Sequence, residues 1–417
     1  MADLQDDPQD TPGVGERDPQ TPAPPNPVPV PQADPECLAR ARTLLAAHPV
    51  ADGYNTLAKA LALIPWHDLE VGESALDTDI PRLRAGGVGA QFWALTADAD
   101  CPDPAGVTLE RLDRIRSLIT SCPDWLRLAM SGGDLADARN CGRIASFLGP
   151  VAAHALGDSL GTLRAFHVLG VRILALSPGT RWTEPGLTRF GLEVVREANR
   201  LGILLDLTGA TPGTWRRTLD CSKAPALLSR SAAASLTEHP LNASDELLAE
   251  LGVNGGICLV SFAPEQIVQG GPAVSVRDVA DHIERVRDVA GPSHVGLSGT
   301  YGLITGAPRT LGLEDASCYP TLIAELLGRG WTDPEIAALT WENFARVVRD
   351  TEFAARTTAP RTAPSRATIE DLDGPGDGPG EGPGDGSRAG AVRGVPNGMV
   401  RRAADPSRGT SSPPRAT

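Results

Sequence analysis

The chain has 417 residues, of which 41% are hydrophobic, and its formal net charge at pH 7 is −14. This length permits one large domain or two ordinary ones, and the acidic charge argues against nucleic acid or an anionic membrane surface as the main partner. The seven cysteines form no Cys-x-x-Cys pair, which disfavours a disulfide framework or a structural zinc site and favours a reducing compartment. The polar N-terminus and the lack of a long apolar run predict a cytoplasmic protein without a signal peptide or membrane span.

Both ends of the chain have the composition of disordered tails. Residues 1–36 hold ten prolines, eight acidic residues and no aromatic residue, so they bury too little apolar surface to offset the entropy of ordering. Residues 361–417 contain the low-complexity repeat GPGDGPGEGPGDG, which is typical of a flexible linker. We therefore expect two disordered tails and one folded domain over residues 37–360.

Eight short apolar runs recur through the central segment. Their apolar continuity, as in ILLDL and ICLVSF, predicts strands that are buried on both faces. In chain order the predicted strands are His48–Asp52, Gly89–Leu95, Arg143–Gly149, Val171–Ser177, Gly202–Thr208, Ala224–Arg230, Gly256–Phe262 and His294–Gly299.

Amphipathic helices are predicted between these strands. Leu109–Thr120, Phe190–Leu201 and Val276–Val289 have apolar residues at helical spacing, and Asp245 is expected to cap a helix over Glu246–Leu251. This alternation predicts an α/β fold, a (β/α)8 TIM-like barrel. The alternative is a doubly wound, Rossmann-like sheet, which is disfavoured because no Gly-x-Gly-x-x-Gly motif follows a predicted strand.

The carboxyl ends of barrel strands are where reacting groups lie, and here they are poor in His, Asp and Glu. Only Asp52 and His154 are obvious metal ligands, and two scattered groups do not make a metal site. Asp52 with Asn55 either lines a ligand pocket or caps the end of the first strand. Asp206 lies inside a strand and is expected to be a buried, hydrogen-bonded acid.

Several long stretches resemble the membrane (renal-type) dipeptidases, the amidohydrolase-like zinc dipeptidases of peptidase family M19. The resemblance spans about residues 37–350. Within the family, the sequence most resembles the soluble actinobacterial branch. It is carried by LRAGGVGAQFWAL (83–95), HALGDSLGTLRAFHVLGVRILALS (154–177), FGLEVVREANRLGILLDLT (190–208), SKAPALLSRSAAA (222–234), DHIERVRDVAGPSHVGL (281–297) and YPTLIAELLGRGW (319–331). The resemblance implies a barrel of the metal-dependent hydrolase superfamily.

The zinc-binding motifs of the family are altered in this chain. The motif DGHND reads DGYNT, the bridging glutamate before the surviving histidine falls in VAAH, DLSH reads DLTG, and SHSS reads SRSA. The resemblance therefore places the five family zinc ligands at Tyr54, Thr56, Val151, Gly209 and Arg230.

Two further family positions are also changed, while one histidine is kept. The resemblance places the acid after the eighth strand at Thr300 and the arginine that grips the substrate carboxylate at Leu241. The loop after the fourth strand begins SPG and is several residues short. His154, which in relatives polarises the substrate or stabilises the intermediate, remains.

The first interpretation is a catalytically inactive homologue, a pseudoenzyme with a binding or regulatory role. It would form a homodimer or pair with an active paralogue, and no cofactor is predicted, although active relatives use zinc. The second is a metal-free enzyme of altered chemistry around His154 and Arg230. The third is a metallodipeptidase with unrecognised ligands.

Arg230 is predicted to point into the altered metal site. There it either pairs with Asp52 or Asp206, or binds a carboxylate or phosphate ligand. Cys221 and Cys258 are weaker candidates for a nucleophile, because neither has a histidine and an acid near it in sequence. The remaining pocket candidates are four tryptophans, of which Trp93 is more in keeping with the core: Trp66, Trp93, Trp182 and Trp215.

Overall fold

Ten parallel strands build the sheet of the described chain. The computed structural model of this protein describes residues 33–64, 68–72, 75–269, 274–302 and 308–374. Each of the eight predicted strands coincides with an observed one to within three residues at either end. The strands in this part of the chain are Val50–Asn55 (β1), Val88–Trp93 (β2), Leu126–Leu128 (β3), Ile144–Leu148 (β4), Val151–Ala152 (β5), Ile173–Ala175 (β6), Leu204–Asp206 (β7), Ala226–Ser231 (β8), Ile257–Ser261 (β9) and Val295–Ser298 (β10).

The sheet closes into a ring at the segment that contains β4 and β5. Its strand order is β3-β4-β2-β1-β10-β9-β8-β7-β6-β5. Strand β4 pairs with β2 and β3, while β5, which follows β4 after Gly149 and Pro150, pairs with β6. Leu148 of β4 also bridges Val171, just before β6, so the ring closes between these strands and leaves β3 as an extra strand beside β4. The eight predicted strands thus form the ring of a (β/α)8 barrel. The predicted fold class is therefore confirmed.

Helices cover the outside of the ring. Within the described residues they are Pro35–Ala47 (α1), Leu57–Leu63 (α2), Ile80–Ala85 (α3), Pro104–Ser121 (α4), Gly132–Asn140 (α5), Leu160–Val168 (α6), Arg189–Leu201 (α7), Pro212–Cys221 (α8), Asp245–Asn254 (α9), Pro264–Ile267 (α10), Val276–Ala290 (α11), Tyr319–Gly328 (α12), Asp333–Ala337 (α13), Asn343–Thr358 (α14) and Ile369–Asp373 (α15). None of these helices combines the length and the apolarity that crossing a membrane would require.

Local sequence sets the helix ends. Helix α7 begins after Thr188, whose side chain accepts from the Gly191 amide, and it ends at Gly202 in the left-handed conformation. The prediction that Asp245 caps α9 is wrong by one residue. Ser244 caps this helix by accepting from the Leu247 amide, and Asp245 instead pairs with Arg285 on α11.

The amino-terminal end of the barrel is filled by the residues that lead into α14. Thr340 donates to the carbonyl of His48, just before β1, and Asn343 donates to the carbonyl of Val295 at the start of β10. Above them, the Phe344 ring lies 5.0 Å from the ring of Phe92 on β2. Since the described residues pack side chains into this end, a pocket inside the barrel is expected at the carboxyl ends of the strands.

The packed chain continues beyond the expected end of the domain at residue 360. Ile369 on α15 is buried, and the carboxylate of Asp373 accepts hydrogen bonds from the amides of Arg189 and Phe190 at the start of α7. The boundary of the folded domain is therefore corrected to at least residue 374. The rest of the two predicted tails, 1–32 and 375–417, lies outside the described residues.

Candidate functional site

A cavity of about 560 Å³ lies at the mouth formed by the carboxyl ends of the strands. Half of its lining residues are alanine, proline or threonine, and its volume falls in the range of small-molecule sites. Six ionisable side chains also line it: Lys59, Asp98, Arg111, His154, Asp206 and Arg230.

The structure brings together most of the site positions that the sequence singles out. Those that line the cavity are Tyr54, Thr56, His154, Gly209, Arg230 and Leu241. Those outside its lining are Asp52, Asn55, Val151 and Thr300. Of the four residues predicted to line the pocket, His154 and Arg230 line the cavity, whereas Asp52 and Asn55 do not.

Arg230 points towards Tyr54, and it forms no ion pair within the described residues. Its guanidinium lies over the Tyr54 ring, 4.4 Å from the ring centroid, and the Tyr54 hydroxyl is 3.1 Å from Thr96 Oγ1. Such a contact between a cation and a ring stabilises the charge but gives the N–H donors of the guanidinium no hydrogen-bond acceptor. The predicted pairing with Asp52 or Asp206 is therefore wrong.

Asp206 is already saturated by its neighbours. Its Oδ1 accepts from the amides of Thr208 and Ser229 at 3.0 and 3.1 Å and from Thr208 Oγ1 at 2.6 Å. Its Oδ2 accepts from Ser229 Oγ at 2.6 Å. These four bonds join β7 to β8 and confirm the expectation of a buried, hydrogen-bonded acid. They also explain why this carboxylate does not pair with Arg230.

Asp52 lies beneath the pocket and joins the first and last strands. Its Oδ1 accepts from the amides of Tyr54 and Gly299 at 3.2 and 2.9 Å, while its Oδ2 has no hydrogen-bond partner among the described residues. Burial raises the pKa of this carboxyl to about 6, against the lowering effect of the two amides and of the nearby Tyr319 and Gln91 side chains. Asp52 therefore caps the end of the first strand, which is the alternative to lining a ligand pocket.

Asn55 and Thr56 also hold the end of β1 in place. Asn55 donates to Thr78 Oγ1 at 3.1 Å and accepts from the Leu57 amide at 2.9 Å. Thr56 Oγ1 lies within hydrogen-bond distance of the carbonyls of Tyr301 and Gly302, at 3.3 and 3.2 Å. These side chains fix the loop after β1 to the loop after β10.

Three of the altered positions carry no imidazole, carboxylate or thiolate with which zinc could be bound. Val151 is a buried residue of β5, and Thr300, which has φ of 51°, donates from its hydroxyl to the Gly299 carbonyl. Gly209 has φ of 70°, and a Cβ atom there would lie 2.8 Å from Cδ2 of Leu241. A side chain at 209 would therefore be strained by its backbone and crowded by Leu241.

His154 sits in a short 3₁₀ turn, Ala153–Leu156, directly after β5. Its Nε2 is buried and has no hydrogen-bond partner in the part of the chain that is described. Burial lowers the pKa of this histidine, and a hydrogen bond with the Asp98 backbone opposes that shift. The side chain is therefore a neutral imidazole at pH 7.

Three ionisable residues of the pocket were not predicted. Lys59 Nζ lies 2.8 Å from Asp98 Oδ1, and Arg111 donates to the carbonyl of Thr96. Asp98 follows the second predicted strand by only three residues, so reading that strand end further would have found it. Lys59 and Arg111 reach the pocket from α2 and α4, and nothing in the sequence pattern marks them.

The cysteine and tryptophan candidates do not form part of the pocket. Cys258 is buried in β9, and burial raises the pKa of its thiol to about 12, which suppresses the thiolate. Cys221 is absent from the lining of the cavity. The tryptophans at 93, 182 and 215 are buried core residues, and Trp66 lies outside the described residues.

The residues that surround the pocket do not fit a zinc centre. In the described part of the chain, no three His, Cys, Asp or Glu side chains are grouped as metal ligands. Asp206 has both oxygens occupied and Asp98 is paired with Lys59. A catalytic zinc ion takes at least three protein ligands, so no step of a reaction can be derived through this metal here.

Comparison with known proteins identifies the family. The profile of "Membrane dipeptidase (Peptidase family M19)" matches residues 38–362. Human "Dipeptidase 3" is 36% identical over 338 residues, which cover 75% of this chain and 67% of the relative. "Dipeptidase aclJ" of Aspergillus oryzae is 35% identical over 348 residues, 76% of this chain and 81% of the relative.

Solved structures show the same architecture. An amidohydrolase from Pseudomonas aeruginosa has 25% sequence identity and a TM-score of 0.63, over 75% of this chain and 98% of that one. The probable dipeptidase PvdM from the same organism shares the fold at 18% identity and a TM-score of 0.71, over 77% of this chain and 99% of that one. The profile match and the curated relatives establish that the chain belongs to the membrane dipeptidase family, peptidase family M19.

Proposed function

We propose that this chain is a catalytically inactive member of its family, which binds a ligand in the barrel pocket without hydrolysing it. The observation that carries the proposal is the content of the pocket wall. Where the family resemblance implies zinc ligands, Tyr54 and Arg230 stack on each other, and Gly209 is covered by Leu241. Hydrolysis in this family rests on metal-activated water, and these positions supply none of the histidine, carboxylate or thiolate ligands of a zinc site.

The proposed role is binding or regulation, by a homodimer or beside an active paralogue. The cytoplasm is the proposed location. All seven cysteines are free thiols, which suits a reducing compartment.

A second candidate function is a metal-free reaction around His154 and Arg230. It is favoured by one observation, the buried Nε2 of His154, which has no hydrogen-bond partner among the described residues and can accept a proton. The same observation also weakens this candidate. An activated nucleophile would be a hydroxyl or thiol hydrogen-bonded to Nε2, and the described residues contain none.

Dipeptide hydrolysis tests the proposal. The purified protein is assayed with a panel of unblocked dipeptides, with added zinc, cobalt or manganese and separately with a chelator, beside an active metallodipeptidase. We expect no release of amino acids above the buffer background, because the pocket supplies no activated water. Hydrolysis that a chelator abolishes would overturn the proposal in favour of a metallodipeptidase with unrecognised ligands. Hydrolysis that survives the chelator and is lost in His154→Asn would favour the second candidate.

A further inference from the structure

The cation at Arg230 has no counter-charge in the described part of the pocket. Each nearby acid is already committed: Asp206 to four hydrogen bonds, Asp98 to Lys59, and Asp52 to the amides beneath Tyr54. Arg230 is only partly exposed, and a partly buried guanidinium without acceptors is costly to keep. The Arg230 guanidinium is therefore available to pair with an anion that enters the pocket.

The charges around the cavity favour an anion with a single negative charge. Lys59, Arg111 and Arg230 bring three positive charges, while Asp98 and Asp206 bring two negative ones. His154 is neutral at pH 7, because burial lowers the pKa of its imidazole. A ligand with a single negative charge balances this wall, whereas a phosphate dianion would leave one charge in excess.

The position of Arg230 is fixed before any ligand arrives. Its backbone carbonyl accepts from Gln266 Nε2 at 3.3 Å, and its guanidinium rests on the ring of Tyr54, whose hydroxyl is held by Thr96. Such a preorganised guanidinium loses little side-chain entropy on binding, and its planar arrangement of N–H donors matches both oxygens of a carboxylate.

The rest of the wall suits a compact apolar group. Beside the ionisable side chains, the cavity is lined by several alanines and by one leucine, namely Ala94, Ala97, Ala152, Ala175 and Leu241. They offer apolar surface at the mouth of a cavity of about 560 Å³. A ligand with a carboxylate at one end and a small branched hydrocarbon at the other would cover this surface and neutralise Arg230.

We propose that the pocket is a binding site for a small monocarboxylate, whose carboxylate pairs with Arg230 and whose apolar body lies against the alanine-rich wall. This inference rests on the proposed function, since it names the ligand class of the same inactive site. The family resemblance places Arg230 at a zinc-ligand position, so the site uses a fixed cation where a metal would stand.

Calorimetric titration at pH 7.5 and low salt tests the proposal. The probes are acetate, butanoate and 4-methylpentanoate, with 4-methylpentanamide as a neutral match and methyl phosphate as a dianion. We expect affinity to rise about fourfold for each methylene that is buried, and the amide to bind at least about tenfold more weakly than the acid. No binding of 4-methylpentanoate to the parent protein, or tighter binding of methyl phosphate, would overturn the inference.

Variants locate the carboxylate. Arg230→Gln should weaken 4-methylpentanoate at least about tenfold while leaving the amide unchanged, and Arg230→Lys should fall between the two. Arg216→Gln is the matched control, because it removes the same charge from a surface residue paired with Glu246, and it should bind like the parent. Equal affinity of Arg230→Gln and the parent for the acid would contradict the site. The result is separable from the proposed function, because hydrolysis is measured in a different assay and with different substrates.

Discussion

Asp206→Ala is expected to lower the free energy of unfolding by about 4 kcal/mol. The carboxylate is buried and accepts four hydrogen bonds from Thr208 and Ser229. Its removal leaves two hydroxyls and two amides at the joint between β7 and β8 without their acceptors. Because this joint lies in the barrel ring, the loss should appear as a lower midpoint of cooperative chemical unfolding.

Asp206→Asn is the matched control for this loss. An asparagine keeps the shape of the side chain and one oxygen that can accept the three bonds now made to Oδ1, so the expected loss is smaller, about 1–2 kcal/mol. The account of Asp206 as a saturated structural acid would be refuted if the alanine variant unfolded within about 1 kcal/mol of the parent.

Asp52→Asn is expected to stabilise the protein at neutral pH, by up to about 3 kcal/mol. In the parent, Oδ2 is buried without a hydrogen-bond partner among the described residues, and burial raises the pKa of the carboxyl to about 6. An asparagine keeps the oxygen that accepts from Tyr54 and Gly299. Its neutral amide replaces Oδ2 and so removes the cost of burying a charge at this position.

The pH dependence of this effect follows from the direction of the shift. The pKa in the folded state, about 6, lies above the ordinary value of about 3.9 for an unfolded chain. Between these values the folded state holds the extra proton, so the contribution of Asp52 to stability falls as the pH rises. The difference between variant and parent should therefore be smallest near pH 4 and largest above pH 7.

Urea unfolding from pH 4 to pH 8 measures this difference, and the parent serves as the reference at each pH. Other titrating groups cancel to a first approximation, because both proteins carry them. A difference that stays constant across this range would show that Asp52 is ionised normally inside the barrel.

The strands are predictable from the sequence because each is a continuous apolar run between helices. The runs at Gly202–Thr208 and Gly256–Phe262 contain β7 and β9, whose residues are all buried. Strand β3, Leu126–Leu128, is different, because it is an end strand of the sheet and only its first residue is buried. Arg127 interrupts the two leucines, so no continuous apolar run indicates this strand, which forms by pairing with β4.

The site positions are predictable as positions, but their contacts are not. The rule that strand ends form the pocket correctly places His154 and Arg230 at one cavity. It does not reveal that Ser229 and Thr208 satisfy Asp206 or that Tyr54 provides a ring beneath Arg230. These contacts depend on side-chain rotamers and on the spacing between neighbouring strands. The predicted ion pair fails for this reason.

The end of the folded domain is another case in which composition misleads. The segment after residue 360 begins with threonine, proline and arginine and is read as a tail. Ile369 and Asp373 nevertheless anchor α15 to α7, through one buried side chain and one carboxylate at a helix start. A few specific contacts fix this short helix, and composition averaged over a long segment does not detect them.

The central claim is that a dipeptidase barrel here carries a pocket that does not hold a metal. The most direct measurement is an anomalous difference map, recorded at the zinc absorption edge, from crystals grown with zinc. The account predicts no anomalous peak in the cavity bounded by Tyr54, His154 and Arg230, and an Arg230 side chain that still lies over the Tyr54 ring. A zinc ion bound in that cavity, with His154 or Asp206 among its ligands, would contradict it.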